Sequence, residues 1–139
     1  MARIQFLSNS VPFKIPQPTT TANWLKAICL AEKRPLESLT YIFCSDAYLG
    51  DLNLQYLGHA TYTDILSFDY SEGKSIQGEI YISIRRVRDN ARKFNQPFET
   101  ELRRVVAHGL LHFLGYKDKS ARQKAQMRRK EEACLSLWQ

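Results

Sequence analysis

The sequence predicts an α+β fold with a sheet of roughly four strands and about five helices. Three observations carry that expectation. Short runs rich in β-branched and aromatic residues all fall before residue 85, every periodic segment after it is helical, and proline or glycine stands where one type gives way to another. In chain order, residues 3–7 alternate polar and apolar as a first strand, and residues 11–18, with Pro12, Pro16 and Pro18, form a connection. Thr19, Thr20 and Thr21 offer an N-cap for a helix over 22–33, which sets Trp24, Leu25, Ile28 and Cys29 on one face before Pro35 stops it. Residues 40–44, Thr-Tyr-Ile-Phe-Cys, read as a strand, and Asp46 offers a cap for a short helix through Leu49, Leu52 and Tyr56. Residues 63–70 and 78–84 are both strand-like, and the turn chemistry of 71–75 between them predicts that they are neighbours. Helices then follow over 85–94, from 98 or 99 to 114, and over 121–137, with Pro97 and Gly115 as breaks.

Composition narrows the class. A chain of 139 residues that is 44% hydrophobic can bury a sizeable core, and residues 1–139 read as one domain. With 24% charged residues and no polar or repetitive tract, neither disorder nor a repeat architecture is expected. No apolar run near the N-terminus is long enough for a signal peptide or a membrane span, so a cytoplasmic protein without membrane contact is expected. Cys29, Cys44 and Cys134 are odd in number, far apart and set among apolar residues, the pattern of reduced packing thiols. A net charge of +6 favours a polyanionic partner, although solvated Lys and Arg faces give the same balance.

Residues 108–118 read His-Gly-Leu-Leu-His-Phe-Leu-Gly-Tyr-Lys-Asp. Histidines one helical turn apart stand about 5–6 Å from each other at Cβ, close enough for both rings to reach one ion. Gly115 can take the left-handed conformation that ends a helix, so that Asp118 returns a carboxylate to the same ion. Three protein ligands leave a position for water. The competing reading is a pair of packing histidines, and a helical wheel tests it. Leu102, Val106, Ala107, Leu110, Leu111, Phe113 and Leu114 cover one face, while His108, His112 and Glu101 fall on the opposite, solvent-directed stripe, where Gly109 leaves room for close approach. Two imidazoles and a carboxylate suit one zinc ion per chain, and nickel, cobalt or iron fit the same set. His59, the one remaining histidine, is the candidate fourth ligand to exclude. Gly109 stands where metallopeptidases of the His-Glu-x-x-His kind carry their general base, so peptide hydrolysis is not expected.

Leu52-Asn53 with Tyr56, the run Thr63-Asp64-Ile65-Leu66-Ser67-Phe68, the run Gly78-Glu79-Ile80-Tyr81-Ile82-Ser83, the histidine motif, and Met127 with Glu131 and Glu132 occur together in this order. In these the chain resembles the YbeY family, bacterial ribosomal RNA maturation factors and single-strand-specific endoribonucleases. The resemblance implies a zincin-like, α/β/α layered fold with a mixed sheet, and a metal on the helix of His108 and His112. It also implies a role in processing ribosomal RNA ends and in ribosome maturation and quality control. Two positions depart from the family pattern. Asp118 replaces a third histidine, which makes the ligand set more anionic and a bound water less acidic. Leu57 stands where the family has an arginine for catalysis or RNA contact, so that role is not carried over to this position.

The expected reaction is phosphodiester cleavage at the metal, with single-stranded ribosomal RNA held by Lys and Arg. His59 is the catalytic candidate, as proton donor or phosphate contact, against the plain reading of a surface loop histidine. Thr63, Asp64 and Ser67 either orient substrate and ligands or serve local turns. RNA contact is expected from Arg85, Arg86, Arg88, Arg92 and Lys93, and from Lys117, Lys119, Arg122, Lys124, Arg128, Arg129 and Lys130, against the reading of two solvated helix faces. Tyr116 either stacks a base or packs back on its helix. The alternatives are a noncatalytic ribosome-assembly factor whose metal stabilises the fold, and a metal-dependent hydrolase of small molecules.

Overall fold

The computed structural model describes residues 2–57 and 64–138. The elements run β1 (Arg3–Asn9), α1 (Pro18–Ala31), β2 (Leu36–Cys44), α2 (Asp46–Leu57), β3 (Ile65–Asp69), β4 (Ile76–Ser83), α3 (Ile84–Lys93), α4 (Phe98–Phe113) and α5 (Ala121–Ser136). The expected α+β class, a four-stranded mixed sheet with five helices, is what the described residues form. Sheet order is β1-β2-β4-β3, with β1 parallel to β2, β2 parallel to β4, and β3 antiparallel to β4. The predicted neighbouring strands do pair, over residues 65–69 and 78–82, through a turn in which Ser71 Oγ accepts from Gln77 N and Tyr70 N donates to Gln77 O.

Strand side chains alternate between faces, and the two faces differ in size. Tyr41, Phe43, Ile80 and Ile82 point into the main core, which they share with Trp24, Leu25 and Ile28 of α1, Leu102, Val106, Leu110 and Leu111 of α4, and Met127 and Cys134 of α5. On the opposite face Leu66 joins Cys44 and Leu49 in a smaller cluster, and Tyr48, Leu52, Phe68 and Tyr81 pack around it. The sheet is thus layered between α2 on one side and α1, α4 and α5 on the other. Two polar anchors tie the main layer across long sequence separations. Tyr41 Oη donates to Val106 O at 2.7 Å, and Trp24 Nε1 donates to Cys134 O at 2.7 Å. Trp138 meets Trp24 edge-on, with ring centroids 5.3 Å apart.

Helix starts are where expectation and structure part. The threonines do not cap α1: Gln17 occupies the cap position and Pro18 the first turn, where its missing N–H is no loss, and Thr21 Oγ donates back to Gln17 O at 2.9 Å. Asp46 does not cap α2 either. Ser45 Oγ accepts from Tyr48 N at 3.1 Å, which leaves the Asp46 carboxylate to pair with Arg86 of α3 at 2.9 Å. The α2 helix otherwise spans the expected residues, from Asp46 past Leu49, Leu52 and Tyr56 to Leu57.

Candidate metal centre

α4 crosses the sheet with Gly109 pressed onto it. A Cβ there would lie 2.9 Å from Ile65 Cδ1 and from Ile80 Cδ1, so the glycine sets how closely helix and sheet approach. This corrects the wheel reading twice. Gly109 faces the sheet and is buried, so it does not open the site from above. Glu101, expected on the solvent stripe, is only 3% exposed, with Arg104 Nε 3.5 Å from its carboxylate. His108 and His112 are half-buried.

The helix ends in a Schellman turn. Tyr116 N donates to Leu111 O at 3.0 Å and Gly115 N to His112 O at 3.1 Å, with Gly115 at φ +103°. The reversal carries Asp118 back over the histidines. His108 Nε2 and His112 Nε2 are 3.0 Å apart, and Asp118 Oδ2 lies 3.2 Å from the first and 3.5 Å from the second. Ligand atoms bound tetrahedrally at about 2.0–2.1 Å from zinc stand about 3.3 Å from one another, so this donor set fits one such ion. It is a candidate metal site, the three donor atoms all within 4.8 Å of each other.

Glu131 of α5 completes it from behind. Its Oε2 lies 2.6 Å from His108 Nδ1, and Arg104 Nη1 stands 3.5 Å from its other oxygen. With Nδ1–H donating to Glu131, the His108 Nε2 lone pair is turned toward Asp118 and His112, the usual orientation of a ligating histidine. Burial alone would lower the His108 pKa, but the bond to Glu131, with the charges of Glu131, Asp118 and Asp64, raises it above the ordinary value. His112 is shifted down, by burial and then by the charge of His108. Asp64 is raised by burial, partly offset by His108. It stands near the centre, its backbone oxygen accepting from Ser83 N at 3.0 Å and its carboxyl 3.5 Å from Asn90 Nδ2. Ser67 lies exposed on β3, while His59 and Thr63 fall outside the described residues.

Glu131 was legible as a motif member but not as a partner. The signal that could have found it was its place with Met127 and Cys134 on the buried stripe of α5, since a carboxylate at a core position needs a polar partner. The Tyr116 side chain is tied to the end of α1 and to α5 rather than to its own helix. Its hydroxyl donates to Glu32 at 2.7 Å and Lys130 Nζ lies 5.0 Å from its ring centre.

The basic residues divide into engaged and outward-facing groups. Arg86 pairs with Asp46, Lys130 with Glu32, Arg88 lies over Phe98 and Lys93 over Phe94. Arg85, Lys117, Lys119, Arg122, Lys124, Arg128 and Arg129 are exposed, and Arg92 shares a shallow hollow with Arg88 and Phe98. Lys117 and Lys119 flank Asp118 in sequence, and from α3 the charge of Arg86 acts on Asp64.

A helix that presents two histidines to a returning aspartate, laid across a mixed sheet, defines an α+β protein with a candidate metal centre. Comparison with known proteins then gives the family. The model of the family "Endoribonuclease YbeY" matches residues 7–139. Proteins named endoribonuclease YbeY from Flavobacterium psychrophilum and Christiangramia forsetii are 50% identical over 92% of this chain and 91% of theirs, and 45% identical over 97% and 94%. The solution structure of TM1509 from Thermotoga maritima superposes with a TM-score of 0.62 at 29% identity, covering 97% of this chain and 91% of that one. The chain belongs to the endoribonuclease YbeY family.

Proposed function

We propose that the chain is a single-strand-specific, metal-dependent endoribonuclease of ribosomal RNA processing, acting in ribosome maturation and quality control in the cytoplasm. One zinc ion per chain is held by His108, His112 and Asp118. The observation that carries this reading is the convergence of those three donors at near-tetrahedral spacing, in a chain whose relatives are named endoribonucleases. Bound there, a divalent ion supplies Lewis-acid polarisation of a phosphoryl oxygen and a more acidic water for hydrolysis of the P–O bond.

The chain's own residues do the rest. Glu131 fixes the His108 ring, and Gly115 turns Asp118 into place. Asp118 in place of a neutral imidazole lowers the charge of the centre by one, which favours a less acidic nucleophile. Lys117 and Lys119 set positive charge beside Asp118, where a phosphate would approach. Leu57 supplies no cation, and His59 is the proton donor candidate for the leaving oxygen. No helix among the described residues is long and apolar enough to cross a membrane.

The test compares parent and His112→Ala on single-stranded ribosomal RNA fragments, before and after chelation and zinc restoration. Parent cleavage should vanish with chelator and return with zinc. His112→Ala should lose about 10²-fold or more in rate while still unfolding cooperatively. Equal cleavage by the two proteins overturns the reading.

A further inference from the structure

Beside the centre lies an open hollow of about 240 Å³ lined by His108, Asp118, Lys124, Met127, Arg128 and Glu131. Four of these residues come from α5, at positions 124, 127, 128 and 131, which fall along one side of the helix. Met127 and Glu131 are buried, and Glu131 and Asp118 both contact His108. Lys124 and Arg128 are exposed, one helical turn apart.

Three cations of α4 and α5 have charged partners: Arg104 is held by Glu101 and Glu131, Arg103 by Glu99, and Lys130 by Glu32. Among the described residues, no ion pair within 4.0 Å engages Lys124 or Arg128. Lys124 and Arg128 are therefore uncommitted positive charges lining a hollow whose own carboxylates, Asp118 and Glu131, are occupied by His108. An anion placed against His108 and Asp118 has its next neighbour along α5 within reach of both.

We propose that Lys124 and Arg128 form a phosphate-holding subsite for the RNA strand on one side of the scissile phosphodiester, so that the strand runs from the centre along α5. This rests on the endoribonuclease reading above and adds the strand's direction and the residues that hold it. Arg128 presents a planar fork that grips a phosphate through two parallel N–H donors, and Lys124 adds a mobile point charge one turn away. Neither touches the reacting atoms. They bind the substrate's polyanionic backbone and so set the length of RNA the enzyme prefers.

The test uses zinc-loaded full-length protein and a fluorescein-labelled twelve-nucleotide oligouridylate, with Kd read by anisotropy across a salt series. Each phosphate contact on a single strand contributes about 0.7 to the slope of log K against log salt, so Lys124→Gln with Arg128→Gln should flatten it by about 1.4. Affinity at low salt should fall by about tenfold or more. Lys74→Gln, at the distant β3–β4 turn, controls for loss of general charge and should leave the affinity nearly intact. Arg128→Lys should keep part of the slope. In cleavage assays the double variant should raise KM on long RNA with kcat kept, and should cleave a dinucleoside monophosphate, which has no flanking phosphate, as the parent does. An unchanged slope, or a loss matched by Lys74→Gln, overturns the subsite. If the parent cleaves no RNA, the endoribonuclease reading fails, and the slope comparison still decides whether these residues hold phosphate.

Discussion

His108 and His112 are the same side chain one turn apart, yet their surroundings give them different chemistry. His108 is gripped at Nδ1 by Glu131 and is pushed toward the charged form, whereas His112 is pushed toward the neutral one. The Glu131 contact should therefore matter to metal affinity more than its distance from any substrate implies. Removing the partner of a ligating histidine typically costs about 10–100-fold in affinity, so Glu131→Ala should weaken zinc binding by that factor in competition against a chromogenic chelator. Glu131→Gln, which keeps shape and an acceptor oxygen, should weaken it less. Unchanged affinity in both variants would remove Glu131 from the site. At this scale the sequence was informative wherever spacing is local: His108, His112 and Asp118 fall within eleven residues, and helix geometry with one glycine turn brings them together. It marked Glu131 as a motif member but not as the partner of His108, because nothing local records that α5 folds back along α4.

At the scale of elements, α4 and the turn that ends it carry two glycines that act by different physics. At Gly109 the limit is crowding by Ile65 and Ile80, so Gly109→Ala should cost about 1–2 kcal/mol, overpacking being partly offset by the better helix propensity of alanine. At Gly115 nothing lies within 4 Å of the point a Cβ would occupy, and the limit is backbone strain at φ +103°. Gly115→Ala should likewise cost about 1–2 kcal/mol, but from conformation alone. Urea unfolding measures both, and a stable Gly115→Ala would show that the turn tolerates a side chain. Element types were readable because the period of apolar residues changes where the structure does. Element starts were less so. Proline at the first turn displaced the threonine cap of α1, and Ser45 displaced Asp46 at α2 because Asp46 has a better partner in Arg86.

Across the whole molecule, the order β1-β2-β4-β3 was beyond reach of local pattern, since two of its three pairings are parallel and join strands separated by helices or by a hairpin. What the sequence did indicate was which residues would be inside, the three cysteines among them. Burial pushes Cys29 up to about 11, Cys44 to about 12 and Cys134 to about 11. Unfolded thiols ionise near their ordinary value of about 8.5–9 while the folded ones stay protonated, so the unfolded state binds fewer protons and stability falls as pH rises from there toward about 11. The slope should approach about 1.4 kcal/mol per pH unit for each thiol, read as a declining urea midpoint between about pH 8.5 and 10. A flat midpoint over that range would mean that the thiols ionise in the folded chain. The tryptophan pair adds a practical consequence. Both tryptophans of the chain, Trp24 and Trp138, sit where α1 meets the end of α5, and the Trp24 indole is bonded to that helix's last turn. Their ultraviolet emission is therefore a built-in, label-free signal of whether the helix bearing Glu131, Lys124 and Arg128 is seated, readable in the same cuvette as a zinc or RNA titration.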